Sequence, residues 1–217
     1  MKRNIALLAL LFITILSGFG QPFINDINRF IEQDKLNPPP QNAILFIGSS
    51  SFTMWNDVHE QFPEHIIINR GFGGSTLEDL IRYVEYVVYP YNPKQIVIYC
   101  GENDFASSDT VTVQLVVQRF TQLYNLIVEK YPEVNISYVS MKPSPSRWHL
   151  SNKFIAGNKC IKQFLEAKPN TSFINVWDKM LNYNGVPDST IFLDDMLHMN
   201  SAGYEIWQNA IKPHLNN

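Results

Sequence analysis

The chain has 217 residues, a length that suits one α/β domain and leaves little room for a second. Because 45% of its residues are hydrophobic and only 17% are charged, it can build a sizeable core. The net charge is −3 and no basic residues cluster along the sequence, so a nucleic-acid partner is not expected.

Residues 1–20 have the pattern of a secretory signal peptide. Lys2 and Arg3 provide the positive start, residues 5–16 are apolar, and small residues precede a cleavage point before Gln21. The alternative is a retained membrane anchor, but this apolar run is shorter than the ~20 residues that a spanning helix needs. We therefore expect a secreted or periplasmic protein with no stable membrane span after processing.

Segment 21–42 is predicted to be an N-terminal extension or linker, because prolines at positions 38–40 prevent helix and favour extended chain. The folded domain is then expected over residues 43–217. Runs rich in β-branched residues predict its five strands, at 43–47, 66–68, 96–99, 136–139 and 173–176. The runs are continuous rather than alternating, which is typical of strands buried on both faces.

Apolar residues at helical spacing lie between these runs. They predict helices over residues 77–88, 113–127, 153–167 and 201–215. Ser75, Thr76 and Glu78 have the pattern of a capping box at the start of the first helix. The alternation of strands and helices indicates an α/β protein with a parallel sheet that is covered on both faces.

Polar or glycine residues follow three of the predicted strands. Ser50 comes just after the first strand, Gly73 and Gly74 after the second, and Asn103 after the third. Since ligand sites in such sheets lie beyond the carboxyl ends of the strands, we expect these residues to converge at one edge. Each stretch alone can be read as a helix cap or a turn.

Asp195 and His198 lie three residues apart, just before the last predicted helix. That spacing lets one turn place the carboxylate against imidazole Nδ1, leaving Nε2 for a nucleophile that could be Ser49, Ser50 or Ser51. Serine acyl transfer needs a nucleophile, a base, a group that orients the base, and hydrogen-bond donors for the oxyanion. The four stretches together supply that set. They therefore predict a serine esterase.

The same stretches resemble the four blocks of the SGNH hydrolases, also called the GDSL esterase/lipase family. They read Gly-Ser-Ser-Ser from position 48, Gly-Phe-Gly-Gly from 71, Gly-Glu-Asn-Asp from 101 and Asp-Met-Leu-His from 195. The resemblance runs from about Ala43 to about Leu215. It implies a flavodoxin-like, three-layer α/β/α sandwich with a five-stranded parallel sheet, and ester hydrolysis that uses no metal and no cofactor.

Aligned on that pattern, Ser50 is the nucleophile, His198 the general base and Asp195 its orienting acid. Gly74 and Asn103 are the oxyanion donors by the same alignment. The chain departs from the family at Ser49, where the family usually has an aspartate. That aspartate is not one of the catalytic partners, so the resemblance still implies a complete triad with altered hydrogen bonding around the nucleophile.

Two other kinds of site receive less support. His198 with the two neighbouring aspartates lacks a clear third ligand at a metal-binding spacing, so no metal is expected. Glu102 and Asp104 could form the acid pair of a glycosidase, but nothing else in the sequence supports sugar-ring chemistry. Cys100 and Cys160 could pair in a secreted protein, but they are expected to be free and buried, because Cys100 ends the run predicted to be a central strand.

Three aromatic residues, Trp55, Phe72 and Trp148, are predicted to line the substrate pocket, with ordinary packing as the alternative. The expected partner is a small-molecule, glycan or lipid ester. Short acyl groups are favoured, for example acetyl esters on carbohydrates, while lysophospholipids and thioesters remain open. A different class of protein is also open, a secreted carbohydrate-binding protein on the same fold with little or no activity.

Overall fold

The computed structural model describes residues 21–216, so the predicted signal peptide lies outside the described residues. A five-stranded parallel sheet has the strand order β2-β1-β3-β4-β5. The strands are β1 (Ile44–Gly48), β2 (Ile67–Gly71), β3 (Gln95–Tyr99), β4 (Asn135–Val139) and β5 (Thr171–Ile174). All five predicted strands are present, with bounds shifted by a few residues.

The helices lie on both faces of the sheet. In chain order they are α1 (Ile24–Leu36), α2 (Ser50–Thr53), α3 (Val58–Gln61), α4 (Leu77–Arg82), α5 (Val84–Val87), α6 (Glu102–Ser107), α7 (Val113–Lys130), α8 (Ser151–Glu166) and α9 (Ser201–Ile211). Residues of α1, α4, α5, α7 and α8 share one core cluster, and residues of α2, α3 and α9 share the other. None of the helices within residues 21–216 is long and apolar enough to cross a membrane.

Strand β1 shows why this sheet is buried on both sides. Leu45 and Ile47 point into the first core cluster, whereas Ile44 and Phe46 point into the second. Successive side chains of a strand face opposite sides, so a strand covered on both faces needs apolar residues at every position. All positions of β1 and β3 are buried. The three-layer α/β/α architecture is therefore confirmed.

The N-terminal segment is not a linker over its whole length, because it contains α1. Ile27 and Phe30 lie on one face of this helix and are buried in the first core cluster. Near its end, Asp34 accepts a hydrogen bond from the Tyr91 hydroxyl at 2.6 Å and forms an ion pair with Arg70 of β2. The linker prediction for residues 21–42 is wrong here, since the prolines only follow the end of a helix that packs on the domain.

The first helix after β2 also differs from its prediction. It is divided into α4 and α5 at Tyr83, and its N-cap is Thr76. Thr76 and Asp79 exchange side-chain and backbone hydrogen bonds in a capping box that starts one residue later than predicted. Ser75 does not take part, because its hydroxyl donates to the Gly48 carbonyl at 3.1 Å.

Both cysteines are free, as predicted. Cys100 is buried directly after β3, and burial raises the pKa of its thiol well above the ordinary value. Cys160 is only partly buried, so the prediction that it is buried is wrong for this residue.

The strand order creates a crevice at one place on the sheet edge. From β1 the chain moves to β2 on one side and then returns to β3 on the other side. In open α/β sheets, ligands bind beyond the carboxyl ends of the strands at such a reversal. Ser50 begins α2 directly after β1, and Asn103 lies in α6 directly after β3. The fold thus brings these two residues to the same crevice.

Candidate active site

Three side chains form a continuous hydrogen-bonded chain at this crevice. His198 Nε2 lies 3.0 Å from Ser50 Oγ, and His198 Nδ1 lies 2.5 Å from Asp195 Oδ2. A carboxylate can only accept, so Nδ1 carries the proton and Nε2 is left to accept from the serine hydroxyl. This arrangement can remove the hydroxyl proton as Ser50 attacks an electrophilic carbon.

The loop that carries Asp195 is built to hold its carboxylate in place. Asp195 Oδ1 accepts backbone N–H groups from Leu197 and His198, both at 2.9 Å, and Met196, directly after Asp195, has a left-handed φ of 55°. Burial opposes ionisation of the carboxyl group. The hydrogen bonds from His198 and Leu197 outweigh this effect and lower the pKa of Asp195 to about 2. The carboxylate is therefore ionised at neutral pH.

Ser50 is presented by a tight passage from β1 into α2. Gly48 has φ 144°, and a Cβ built on it would lie 1.9 Å from the Tyr99 carbonyl oxygen, so only glycine fits there. Ser49 donates its N–H to that same carbonyl at 3.0 Å and then begins the helix as its N-cap. Among the described residues, the Ser50 N–H has no acceptor. This donor is therefore available beside the serine oxygen.

The glycine turn after β2 lies next to Ser50. A Cβ built on Gly73 would be 3.8 Å from the Ser50 Cβ, and Gly74 follows with φ 84°. Both glycines are exposed, and within residues 21–216 neither N–H donates to a protein acceptor. The turn thus offers free backbone donors beside the serine. This proximity to Ser50 is that of Gly73, and the assignment of the oxyanion role to Gly74 stays a prediction.

Asn103 is brought to the same place, and its orientation is fixed by its neighbours. Nδ2 donates to the Ser75 carbonyl at 2.9 Å and to Ser49 Oγ at 2.6 Å, while Oδ1 accepts from Arg147 Nη2 at 2.8 Å. A carbonyl can only accept and a guanidinium can only donate, so the side-chain amide cannot be flipped. The NH₂ group therefore faces the residue next to Ser50.

The structure shows an ion cluster near Ser50 that the sequence did not predict. It is formed by Glu102, Lys142 and Arg147. Glu102 Oε1 accepts the Lys142 backbone N–H at 2.9 Å and the Tyr99 hydroxyl, and Lys142 Nζ lies 3.2 Å from Glu102 Oε2. Burial opposes ionisation of Glu102, but Lys142 and then Arg147 outweigh it and lower the pKa of Glu102. Lys142 is 2% exposed. A lysine and an arginine in the loop after β4 are the sequence signal for this cluster.

The two carboxylates flanking Asn103 are not free to act as a glycosidase pair. Glu102 belongs to the buried ion cluster. Asp104 is fully buried, accepts the Leu77 N–H at the start of α4 at 2.9 Å and pairs with Arg119 at 2.8 Å. Both carboxylates are engaged in holding the loop and the neighbouring helices, so the glycosidase alternative receives no support.

Two of the three predicted pocket aromatics lie in the core instead. Trp55 is 1% exposed and packs against Phe62 and other rings of the second core cluster. Phe72 is fully buried against Phe23 of the N-terminal segment. Neither ring lines the cavity beside Ser50, so this prediction is corrected for both. Trp148 is only partly buried, and its role stays a prediction.

Little empty space adjoins Ser50 itself. A cavity of ≈10 Å³ is lined by Ser50, Asn103, Arg147 and Leu197, among others, which is about the room that one water needs. Among residues 21–216, no three His, Cys, Asp or Glu side chains come close enough to hold a metal ion together.

Sequence comparison places the chain in a known family. The sequence model of the GDSL-like Lipase/Acylhydrolase family matches residues 46–206, which is most of the chain. The protein therefore belongs to the GDSL-like lipase/acylhydrolase family and is a hydrolase that acts on ester bonds. None of the curated proteins matches the chain.

Solved structures with the same fold come from several bacteria. A protein from Streptococcus pneumonia, provisionally described as a platelet activating factor, has a TM-score of 0.78 at 21% identity, covering 88% of this chain and 92% of its own. A GDSL-like lipase from Bacteroides thetaiotaomicron has a TM-score of 0.74 at 19% identity, covering 87% and 96%. A variant of an acetyl-xylooligosaccharide esterase from Geobacillus Stearmophilus has a TM-score of 0.64 at 18% identity, covering 80% and 94%. At these identities the likeness concerns the fold.

Proposed function

We propose that this hydrolase is a serine esterase that works through an acyl-enzyme on Ser50. The observation that carries the proposal is the unbroken chain from Asp195 through His198 to Ser50 Oγ. As Oγ bonds to the ester carbonyl carbon, His198 Nε2 takes the hydroxyl proton and Asp195 stabilises the imidazolium that forms. The C–O bond to the alcohol then breaks, and His198 gives its proton to the leaving oxygen.

The second half of the cycle reverses these roles. His198 takes a proton from a water molecule as the water oxygen attacks the acyl carbon, and the bond to Ser50 Oγ then breaks. His198 gives this proton to Ser50 Oγ as that bond breaks, so the products are the carboxylic acid and free Ser50. In both halves, negative charge on the carbonyl oxygen would be met by the N–H of Ser50, the N–H of Gly74 and Nδ2 of Asn103. All three belong to segments that surround the serine.

For the substrate, we propose a short acyl group, such as acetyl, esterified to a carbohydrate. The cavity beside Ser50 is too small to enclose any acyl chain, so the acyl group would lie at the open surface, where a short chain exposes less apolar area to water than a long one. Trp148 and Trp177 stack with ring centroids 6.0 Å apart and are both partly buried. They follow β4 and β5 at the catalytic edge and supply an aromatic surface for the alcohol portion. The likeness to an acetyl-xylooligosaccharide esterase supports the same class.

The test compares acyl lengths on purified protein that begins at Gln21. We expect turnover of p-nitrophenyl acetate, with kcat/KM falling as the acyl chain lengthens to butyrate and octanoate, and release of acetate from acetylated xylo-oligosaccharides. Ser50→Ala is the control for serine-dependent turnover. A Ser50→Ala variant with unchanged activity would contradict the mechanism, and a preference for octanoate would contradict the short-acyl assignment.

We also propose that the protein is secreted or periplasmic after removal of residues 1–20. The positive start, short apolar run and small residues of that segment support it. Cell fractionation with N-terminal sequencing tests the proposal, and the expected first residue is Gln21. Recovery of the intact N-terminus in the membrane fraction would instead identify a retained anchor.

A further inference from the structure

The Asn103 amide is held from its far side by a charged residue that does not touch Ser50 Oγ. Arg147 Nη2 donates to Asn103 Oδ1 at 2.8 Å, in the loop that follows β4. The remaining contacts of Asn103 are with the Ser75 carbonyl and the Ser49 hydroxyl. Neither contact is charged, so the guanidinium makes the one charge-assisted hydrogen bond to this amide among the described residues.

Arg147 is itself fixed by buried charge. Its side chain is 19% exposed, and Nη1 lies 3.6 Å from Oε2 of Glu102, the residue directly before Asn103. Glu102 is in turn neutralised by buried Lys142 at 3.2 Å. The guanidinium therefore spans two consecutive residues of α6, with one nitrogen near the carboxylate and another on the amide oxygen.

The Arg147 loop is also tied to the loop that carries the candidate acid and base. The Ser146 N–H donates to the Met196 carbonyl at 3.0 Å, one residue after Asp195. Two of the proposed catalytic parts, the Asn103 amide and the Asp195–His198 loop, are thus joined through two neighbouring residues of one loop. The bond to the acid–base loop is made by the Ser146 backbone, whereas the Arg147 side chain itself contacts Glu102 and Asn103.

We propose that Arg147 is a positioning residue that aims and polarises the Asn103 amide, an inference that rests on the proposed esterase function. The hydrogen bond to Oδ1 fixes the side-chain rotamer, so Nδ2 keeps its position beside Ser49 and needs only to exchange its hydrogen bond to the Ser49 hydroxyl for one to the oxyanion. A cationic donor on Oδ1 also draws electron density from the amide, which makes Nδ2–H a stronger donor to an oxyanion. Both effects act on the transition state through Asn103 and need no contact between Arg147 and substrate.

A double-mutant cycle between Arg147 and Asn103 tests this inference, with p-nitrophenyl acetate as substrate. Arg147→Met should lower kcat by about 10-fold or more, within the 10²–10³-fold limit set by losing the amide donor altogether, with little change in KM. In the Asn103→Ala background, Arg147→Met should have almost no further effect on kcat, because the group it positions is gone. Equal losses in the two backgrounds would overturn the proposal. So would a raised KM with unchanged kcat, which indicates direct substrate binding.

Arg119→Met is the matched control. Arg119 is 21% exposed and pairs with Asp104, the residue after Asn103, but it does not contact the amide. It should keep a near-normal kcat even if its melting temperature falls by as much as that of Arg147→Met. A similar loss of kcat in the control would mean that Arg147 acts only through stability, and the proposal would fail.

Arg147→Lys provides a second variant if Arg147→Met folds poorly. Lysine keeps the positive charge near Glu102 but lacks the paired N–H groups of the guanidinium. Its kcat should therefore fall less than that of Arg147→Met, and again only while Asn103 is present. An additive loss with Asn103→Ala overturns the inference. Failure of the proposed esterase function can be distinguished from failure of this inference, because it would appear as a Ser50→Ala variant that retains full activity.

Discussion

The Ser49 hydroxyl accepts a 2.6 Å hydrogen bond from Nδ2 of Asn103. Ser49 stands where the family usually has an aspartate, and it is 5% exposed. In the resting enzyme this hydroxyl therefore holds one N–H of the amide that we propose for the oxyanion. The contact links the nucleophile turn after β1 to the start of α6 after β3.

The first prediction separates Ser49 from Ser50. Ser50→Ala should lower kcat by roughly 10⁴–10⁶-fold, because the nucleophile is lost. Ser49→Ala should cost far less, since Asn103 keeps its hydrogen bonds to Ser75 and Arg147. Esterase kinetics and circular dichroism on both variants measure this. If Ser49→Ala were the inactive variant, the nucleophile would be Ser49 and the assignment to Ser50 would be wrong.

The second prediction concerns Asn103. Charge appears on the carbonyl oxygen only as Ser50 attacks, so the amide should serve the transition state more than the bound substrate. Asn103→Ala should lower kcat by roughly 10²–10³-fold with little change in KM. Asn103→Asp should be at least as damaging, because a carboxylate would face the Ser75 carbonyl and the developing oxyanion.

Thermal unfolding decides between this role and a structural one for Asn103. If the residue only holds the loop, both substitutions should lower the melting temperature and reduce activity in proportion. A near-normal kcat for Asn103→Ala in a stable protein would remove the residue from the mechanism.

Much of the fold was predictable because it follows from local pattern. A strand buried on both faces needs an unbroken apolar run, and such runs mark the central strands β1 and β3. The edge strands β2 and β5 are only partly buried, and shorter apolar runs located them. The residue types that follow those strands then point to the site, since the carboxyl ends of parallel strands share one edge. Helix α1 was harder to predict because the nearby prolines resemble a linker, although the spacing of Ile27 and Phe30 fits a helix.

The remaining features depend on contacts between distant segments. Arg147 meets Asn103 across 44 residues of sequence, and no spacing rule relates the two positions. Trp55 and Phe72 come after the first two strands, at the edge of the sheet where pocket residues lie. The sequence does not tell whether their side chains point into the pocket or into the core. The structure turns both into the apolar cores, where burial of such large rings is favourable.

The third prediction concerns the hydrogen bond between Asp195 and His198. Asp195→Asn should lower kcat by roughly 10⁴-fold, because an amide can donate to Nδ1 of His198 and so favour the wrong tautomer. Steady-state kinetics at neutral pH measures the loss. A change of less than 10-fold would show that the carboxylate does not orient the base.

The same residue predicts how stability depends on pH. Its pKa is lowered from 3.8 to about 2 in the folded protein, so the unfolded chain binds the proton more tightly. The stabilisation is therefore fully present above about pH 4 and is lost as the pH falls through about 2. The melting-temperature gap between wild type and Asp195→Asn should be constant from pH 7 to about 5 and should shrink towards pH 2. Since Asp195 is 47% exposed, solvent screening keeps this gap small. A gap that widens in acid would contradict the lowered pKa.

The last prediction compares two glycines that both have positive φ. At Gly48, a new Cβ would collide with the Tyr99 carbonyl at 1.9 Å, an atom that also accepts the Ser49 N–H. At Gly185, φ is 74° and a new Cβ would meet nothing within 4 Å. Gly185→Ala should therefore lower the free energy of unfolding by only about 1–2 kcal/mol, the cost of the left-handed conformation. Gly48→Ala should cost clearly more, because strands β1 and β3 must separate, and kcat should fall since Ser50 follows two residues later. Urea unfolding and esterase kinetics on the two variants test this, and equal losses of stability would show that the nucleophile turn tolerates a side chain.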